Sequence, residues 1–173
     1  MSSENKSTHS SIRIIAAVEK NFGIGKDNSI PWRLSADMKQ FSSLTKYNYV
    51  LMGRKTFESI GKPLKNRVTL IITTNKDYKV EGAYVFNTIE DAIAFYKEKN
   101  NDQILYICGG AGIYKDCVDK ADELCLSFVQ AHVDCDTFFP PVDLNKWQLI
   151  DQFTHPIDEK NEYEFIYNRL IRR

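Results

Sequence analysis

Short apolar, β-rich runs alternate with helical patterns along most of the chain, and this alternation limits the possible folds more than any other feature. The predicted strands cover residues 12–18, 49–52, 68–73, 83–86, 104–108, 123–129 and 162–170. The predicted helices lie between them, at residues 35–45, 55–60, 88–99 and 110–118. This order predicts a single-domain α/β fold with a mixed, mostly parallel sheet flanked by helices on both faces. The last run is expected to return antiparallel at the edge of the sheet.

The composition describes one globular domain. The chain has 173 residues, 43% of them hydrophobic, and 23 acidic and 23 basic residues cancel to zero net charge. A domain of this size buries about 70% of its extended-chain surface, so it needs no disulfide or metal for stability. The neutral balance gives no electrostatic reason to expect nucleic acid or a membrane as a partner. Small-molecule chemistry in a monomer is therefore the prediction.

The ends of the chain and its thiols predict a cytoplasmic location. Residues 1–11 are polar, lack the apolar core of a signal peptide, and are expected to form a disordered extension before a domain at 12–173. No apolar run approaches the roughly 20 residues that span a bilayer. Cysteines and histidines show no metal-ligand spacing, which predicts reduced thiols and no metal site; they are Cys108, Cys117, Cys125, Cys135, His9, His132 and His155.

One carboxylate stands among apolar residues in the segment 30–41, IPWRLSADMKQF. With a helical period, one face of this segment carries Leu34, Asp37, Met38 and Phe41. Asp37 therefore points where the apolar side chains point, as an acid facing a pocket would. The alternative is a first-turn acid that the helix dipole favours, just after Ser35 as the N-cap candidate.

Glycines and cations indicate a phosphate-bearing ligand. The pair Gly109-Gly110 follows a buried-type strand, where backbone without side chains can approach a pyrophosphate at the start of a helix. The pattern is not G-x-G-x-x-G, which disfavours a standard dinucleotide-binding Rossmann unit. Arg54 and Lys55 lie at a predicted helix start, a position that disfavours cations unless an anion binds there. A solvated surface pair is the alternative for these two residues.

Taken in order, these motifs resemble the dihydrofolate reductase family. The segment 30–41 resembles its substrate helix, and the match continues to the C-terminus from about residue 12. The further matching motifs are MGRKT at 52–56, FESIG at 57–61, Pro63-Leu64, Arg67, CGGA at 108–111, Ile113-Tyr114 and DTFFP at 136–140. The resemblance implies NADPH-dependent reduction of 7,8-dihydrofolate to tetrahydrofolate, a supply reaction of one-carbon metabolism, and binding of antifolates.

The resemblance also implies roles for individual residues. Asp37 would accept hydrogen bonds from the pterin and raise its proton affinity, while a lid-ordered water beside Trp32 delivers the proton. Ser127 fits the position whose hydroxyl supports the acid, where threonine is usual, and Tyr114 would lie near the nicotinamide. Arg67 would pair with the α-carboxylate of the glutamate tail. The complete set of implied substrate contacts is Ile15, Ala17, Met38, Phe41, Ile60, Arg67 and Cys108, the last replacing a branched aliphatic residue.

The cofactor contacts follow from the same resemblance. The counterparts of Arg54, Thr73 and Thr74 surround the 2′-phosphate of NADPH, and those of Lys55 and Thr56 meet the pyrophosphate. The other implied contacts are Ala17, Ile24, Gly25, Gly53, Gly109, Gly110, Ala111, Gly112, Ile113 and Tyr114.

Two further features are implied in the backbone. The glycine-punctuated segment 20–29, KNFGIGKDNS, could be an inert loop, whereas in the family it is a lid that closes on nicotinamide and pterin. The Gly109-Gly110 peptide is expected to be cis.

Two other functions remain open from the sequence. A related-fold reductase of riboflavin synthesis would share the glycine pair and NADPH, but nothing in it requires Asp37 within its motif or Arg67 after Pro63-Leu64. A retired reductase would bind a ligand, RNA or a protein without turnover. The intact acid, arginine and glycine pair argue against it.

Overall fold

The computed structural model describes residues 11–27, 29–99 and 102–173. Its strands are β1 Ser11–Val18, β2 Gly23–Gly25, β3 Tyr49–Gly53, β4 Val68–Ile72, β5 Tyr84–Phe86, β6 Ile104–Ile107, β7 Glu123–Val129, β8 Thr137–Phe138, β9 Trp147–His155 and β10 Phe165–Arg172. Its helices are α1 Ser35–Thr45, α2 Arg54–Ile60, α3 Ile89–Glu98 and α4 Ala111–Cys117. Ser11, expected in the extension, begins β1, and the rest of that predicted extension lies outside the described residues.

The predicted α/β sheet is confirmed. Within the described residues the main sheet has eight strands in the order β5-β4-β3-β6-β1-β7-β10-β9. Neighbouring strands from β5 to β7 run parallel, and β10 runs antiparallel to both β7 and β9. The prediction that the last run forms the edge was wrong, because β9 lies outside it. Residues 148–154 of β9 are all exposed, so no alternation of apolar and polar residues marks this strand in the sequence.

Helices pack on both faces of the sheet, as predicted. Side chains of β3 alternate between two buried clusters: Tyr49 and Leu51 join α3 and α4, whereas Val50 and Met52 join α1 and α2. Each such aliphatic side chain contributes about 1.5–3 kcal/mol when fully buried. Thr88 is the N-cap of α3, and its side chain accepts a hydrogen bond from the Asp91 amide at 3.1 Å. None of the described helices is long and apolar enough to cross a membrane.

Parallel strands place the segments that follow them at one edge of the sheet. β3 leads into α2 and Arg54, β4 leads to Thr73 and Thr74, and β6 leads to the glycine pair. This is the edge at which open α/β sheets bind ligands.

Candidate active site

A partly buried acid in contact with a buried serine forms the centre of the site. The Ser127 hydroxyl, on β7, donates to the Asp37 Oδ1 atom at 2.6 Å. Burial raises the pKa of the Asp37 carboxyl above its ordinary value of 3.8, and the bond from Ser127 opposes that rise. The structure thus brings together the acid and the serine proposed to support it, with the acid's proton affinity raised.

Apolar side chains accompany this acid on α1 and the segment before it. Trp32 is buried beside Leu34, and Phe41 packs near Ile15 on the adjacent face of the sheet. In contrast, Met38 on α1 is 68% exposed and Ile60 at the end of α2 is 39% exposed. Large apolar side chains left open near one polar anchor are typical of a pocket for a flat ring.

Tyr114 and Cys108 are two protonated groups that lie near each other and near Asp37. The Tyr114 hydroxyl donates to the Ile15 carbonyl at 2.8 Å. Burial raises the pKa of Tyr114 well above 10, with smaller contributions from Cys108 and Asp37. Burial also raises the pKa of the Cys108 thiol to about 12. Both groups keep their protons at neutral pH. Because Tyr114 holds its proton tightly, a packing role suits it better than the donation of a proton to a substrate.

The helix that carries Asp37 is held by a residue that sequence reasoning missed. Ser35 is not the N-cap: Leu34 occupies that position and provides no side-chain hydrogen bond. Instead the Asn161 Oδ1 atom accepts from the Ala36 amide at 2.9 Å, and Asn161 is only 3% exposed. Because 125 positions separate these partners, no local pattern could reveal the cap. Asn161 therefore fixes the start of α1 and, with it, the acid.

Arg67 lies against the other end of α1. Its Nε atom donates to the Thr45 hydroxyl at 2.9 Å, and its terminal nitrogen donates to the Ser42 carbonyl at 2.7 Å and hydroxyl at 2.9 Å. Another bond goes to the Lys65 carbonyl. Since a helix rises about 1.5 Å per residue, Thr45 lies about 12 Å beyond Asp37. A ligand that contacts both ends of this helix must be elongated, and a two-pronged carboxylate pair would replace bonds to Ser42.

Two predicted cofactor segments, 52–56 and the glycine pair, meet where β3 ends. The Gly53 amide donates to the Gly109 carbonyl at 2.9 Å, which joins the end of β3 to the pair. The Gly109-Gly110 peptide is cis, as predicted. A β-carbon on Gly110 would lie 3.4 Å from the Thr56 hydroxyl oxygen on α2. The glycine pair therefore lies close to the backbone at the end of β3 and to the Thr56 side chain at the start of α2. Such a close approach suits a pyrophosphate site.

A cavity of about 390 Å³ lies between the starts of α3 and α4. It is lined by Ile72, Asn87, Thr88, Ile89, Glu90, Ile113, Asp116 and Lys120. Of these, only Ile113 was predicted as a site residue, because the others come from separate segments without a shared motif. The Asn87 side chain donates to the Thr73 carbonyl at 2.7 Å and links the cavity to the threonine pair.

An acidic side chain, Glu58, contacts one of the predicted phosphate-binding residues. Arg54 forms an ion pair with Glu58 at 2.8 Å between NH1 and Oε1. The Tyr78 hydroxyl donates to the other carboxylate oxygen at 3.3 Å. Tyr78 follows β4 on the same loop as Thr73 and Thr74, so these contacts connect that loop to α2. Sequence reasoning identified Arg54 but missed Glu58 and Tyr78.

The segment 20–29 contains a short paired strand. Its strand β2, which holds Ile24 and Gly25, runs antiparallel to β8. The Asp136 amide donates to the Gly25 carbonyl at 2.9 Å, and the Asp27 amide donates to the Asp136 carboxylate at 3.0 Å. Residue 28 of this segment lies outside the described residues. The lid motion itself stays a prediction.

Comparisons with known proteins agree on one family. The sequence profile described as "Dihydrofolate reductase" matches residues 11–172. "Dihydrofolate reductase type 3" of Salmonella typhimurium is 39% identical, covering 94% of this chain and 98% of the relative. The dihydrofolate reductase of Bacillus subtilis (strain 168) is 34% identical, covering 89% and 90%. A solved dihydrofolate reductase from Enterococcus faecalis, complexed with NADP(H) and RAB-propyl, superposes with a TM-score of 0.88 at 32% identity, covering 94% and 96%.

Proposed function

The chain belongs to the dihydrofolate reductase family, and we propose that it catalyses the NADPH-dependent reduction of 7,8-dihydrofolate to 5,6,7,8-tetrahydrofolate. The product supplies one-carbon metabolism. The observation that carries the proposal is the Asp37 carboxylate, held at 2.6 Å by Ser127 in a largely apolar setting. Neither a riboflavin-pathway reductase nor a retired binding protein requires this acid.

Asp37 is proposed to bind and polarise the pterin. NADPH supplies a hydride to C6 of dihydrofolate, while N5 gains a proton. An ionised Asp37 accepts hydrogen bonds from the pterin amino group and ring nitrogen, which favours the protonated substrate. Ser127 keeps the carboxylate in one orientation. Because Tyr114 and Cys108 retain their protons, water beside Trp32 is the proposed proton source.

The remaining substrate contacts follow the length of α1. Met38, Phe41 and Ile60 are proposed to hold the rings, and Arg67 the glutamate carboxylate. Arg67 is oriented beforehand by the bond from its Nε atom to Thr45, which reduces the conformational freedom lost on binding. The separation of Asp37 from Arg67 along α1 suits a substrate with a pterin at one end and a carboxylate at the other.

The chemistry of the cofactor side fits NADPH. Arg54, Thr73 and Thr74 offer donors for a 2′-phosphate, and the backbone around Gly109 and Gly110 suits a pyrophosphate. The cavity of about 390 Å³ has apolar walls and polar groups for an adenine ring. The solved Enterococcus faecalis enzyme carries NADP(H), which supports this choice of cofactor.

The decisive experiment follows NADPH oxidation by absorbance in the presence of dihydrofolate. We expect turnover with dihydrofolate and none with a pyrimidine substrate of riboflavin synthesis. Turnover only with the pyrimidine would support the related-fold reductase. Binding of NADPH without turnover of either substrate would support a retired enzyme.

We further propose that residues 12–173 act as one catalytic domain, in a cytoplasmic monomer that antifolates inhibit. The zero formal net charge supports independence from nucleic acid and membranes. Light scattering during gel filtration should give the mass of one 20.0 kDa chain. A mass of two chains would contradict the monomer.

Replacing Arg67 with leucine should weaken binding of the substrate tail. A two-pronged guanidinium–carboxylate pair contributes about 2 kcal/mol, so the Michaelis constant for dihydrofolate should rise about 30-fold with the hydride step largely intact. Dihydropteroate, which lacks the glutamate, is the matched control. Its kinetics should not change, and a Michaelis constant for dihydrofolate equal to that of the parent would remove Arg67 from the site.

Replacing Arg54 with glutamine should reduce the preference for NADPH. The 2′-phosphate is the only group that distinguishes NADPH from NADH, and losing a charge-assisted contact to it should cost about tenfold or more in affinity. Titration of both cofactors measures the effect. Equal losses for NADPH and NADH would place the phosphate elsewhere.

A further inference from the structure

Glu58 lies next to the cation proposed to recognise the cofactor phosphate. Its Oε1 atom is 2.8 Å from Arg54 NH1, one helical turn earlier on α2. Its Oε2 atom accepts from the Tyr78 hydroxyl at 3.3 Å. Both oxygens of the carboxylate are thus held, one by α2 and one by the loop after β4. This arrangement keeps a negative charge beside Arg54 instead of letting the side chain turn into solvent.

A carboxylate and a phosphate use the same face of a guanidinium. Each accepts hydrogen bonds from its planar fork of N–H groups. A phosphate at Arg54 therefore either takes NH1 away from Glu58 or lies on the other edge, within several ångströms of a like charge. In both cases the charge of Glu58 opposes the phosphate. The opposition is absent for a cofactor with a 2′-hydroxyl.

We propose that Glu58 is a specificity-determining residue that acts through Arg54 and limits the preference for NADPH over NADH. Its carboxylate competes with the 2′-phosphate for the guanidinium, and Tyr78 holds it in the competing position. The inference rests on the proposed function, because it assumes that Arg54 receives the 2′-phosphate.

Glu58 could also strengthen phosphate binding by orienting Arg54, but this effect is weaker than the repulsion. Exposed ion pairs at i, i+4 stabilise an arrangement by about a factor of two. Repulsion between a carboxylate and a dianion about 7 Å apart amounts to about sevenfold in unscreened water and about twofold to threefold at physiological ionic strength. Glutamine at this position keeps the shape and a carbonyl acceptor for Arg54. Removing the charge alone should therefore tighten phosphate binding.

The test measures dissociation constants for NADPH and NADH by fluorescence titration at low and high salt. We expect Glu58→Gln to tighten NADPH about fivefold at low salt and about twofold at high salt, with NADH unchanged. In an Arg54→Gln background the same substitution should have a smaller effect, because the competition for the guanidinium is gone and only the direct repulsion between the Glu58 carboxylate and the phosphate remains. Glu98→Gln, an exposed charge removal at the end of α3, is the control and should change neither constant.

The outcomes separate the role of Glu58 from the proposed function. Suppose first that the parent prefers NADPH through Arg54. The role of Glu58 alone is then overturned if Glu58→Gln leaves the dissociation constant for NADPH unchanged or raises it, or if it shifts the constants for both cofactors equally. A parent without that preference overturns the phosphate assignment and this inference together. A gain that is confined to NADPH, that salt reduces and that is smaller in the Arg54→Gln background supports the inference.

Discussion

Asp37→Asn is expected to fold, bind NADPH and lose most hydride transfer to dihydrofolate at neutral pH. The amide keeps the shape of the carboxylate but removes the charge that favours protonated substrate. Proton-transfer assistance of this kind contributes about 10²–10⁴-fold, so a loss of at least about 100-fold is expected. The remaining rate should climb as pH falls, because solution must then supply the protonated pterin. In the parent, turnover should fall at alkaline pH.

A matched control separates this role from that of an ordinary helix-start acid. Asp91 lies in the first turn of α3, as Asp37 lies in the first turn of α1. Asp91→Asn should leave the rate unchanged at every pH. If Asp37→Asn also kept near-parental activity across the neutral range, Asp37 would be only an acid favoured by the helix dipole.

The raised pKa of Asp37 also fixes the sign of the stability change. Burial makes the folded protein hold this proton more tightly than the unfolded chain does. The free energy of unfolding of the parent therefore falls as pH rises from the unfolded-state pKa of 3.8 through the folded-state pKa. It stays lower at every pH above the folded-state pKa. Asp37→Asn has no such cost, so it should be at least as stable as the parent at neutral pH. Denaturant unfolding should show the difference vanishing below pH 3.8.

The fold could be predicted where burial leaves a pattern in the sequence. The strands β3, β4 and β6 are covered by helices on both faces, so their residues form continuous apolar runs. In contrast, residues 148–154 of β9 are all exposed. This strand therefore has no alternation of buried and exposed positions that its sequence could show. The antiparallel direction of β10 was predicted. Its place inside the sheet was not, because β9, which lies outside it, was not among the predicted strands.

The residues of the site also differ in whether local sequence could identify them. Asp37 and the glycine pair belong to compact motifs, so their chemistry was apparent from neighbouring residues. Asn161 and Glu58 act through contacts that depend on the assembled fold. The Asn161 bond joins positions 125 apart, and the importance of Glu58 depends on Tyr78, which is 20 positions away. No spacing rule specifies which distant segments will meet.

Gly109→Ala is expected to damage both stability and cofactor binding. Gly109 has φ +116°, a conformation that residues with a side chain rarely adopt, and such backbone costs about 1–3 kcal/mol. The new β-carbon would also lie 3.3 Å from the Tyr114 hydroxyl oxygen and 3.4 Å from two ring carbons. That ring cannot easily move, because its hydroxyl donates to the Ile15 carbonyl and the ring makes a tilted contact with Phe139.

The control for Gly109→Ala is Gly82→Ala, which isolates the backbone strain. Gly82 also has positive φ, +86°, but a β-carbon there would meet only Pro63 at an ordinary 3.5 Å. Gly82→Ala should lose about 1 kcal/mol of unfolding free energy and bind NADPH as the parent does. Gly109→Ala should lose more and weaken NADPH binding about tenfold or more, because the glycine backbone is proposed to bind the pyrophosphate and Tyr114 to lie near the nicotinamide. Equal behaviour of the two variants in unfolding and titration would mean that the glycine pair serves the turn alone, and that the pyrophosphate is bound by other residues.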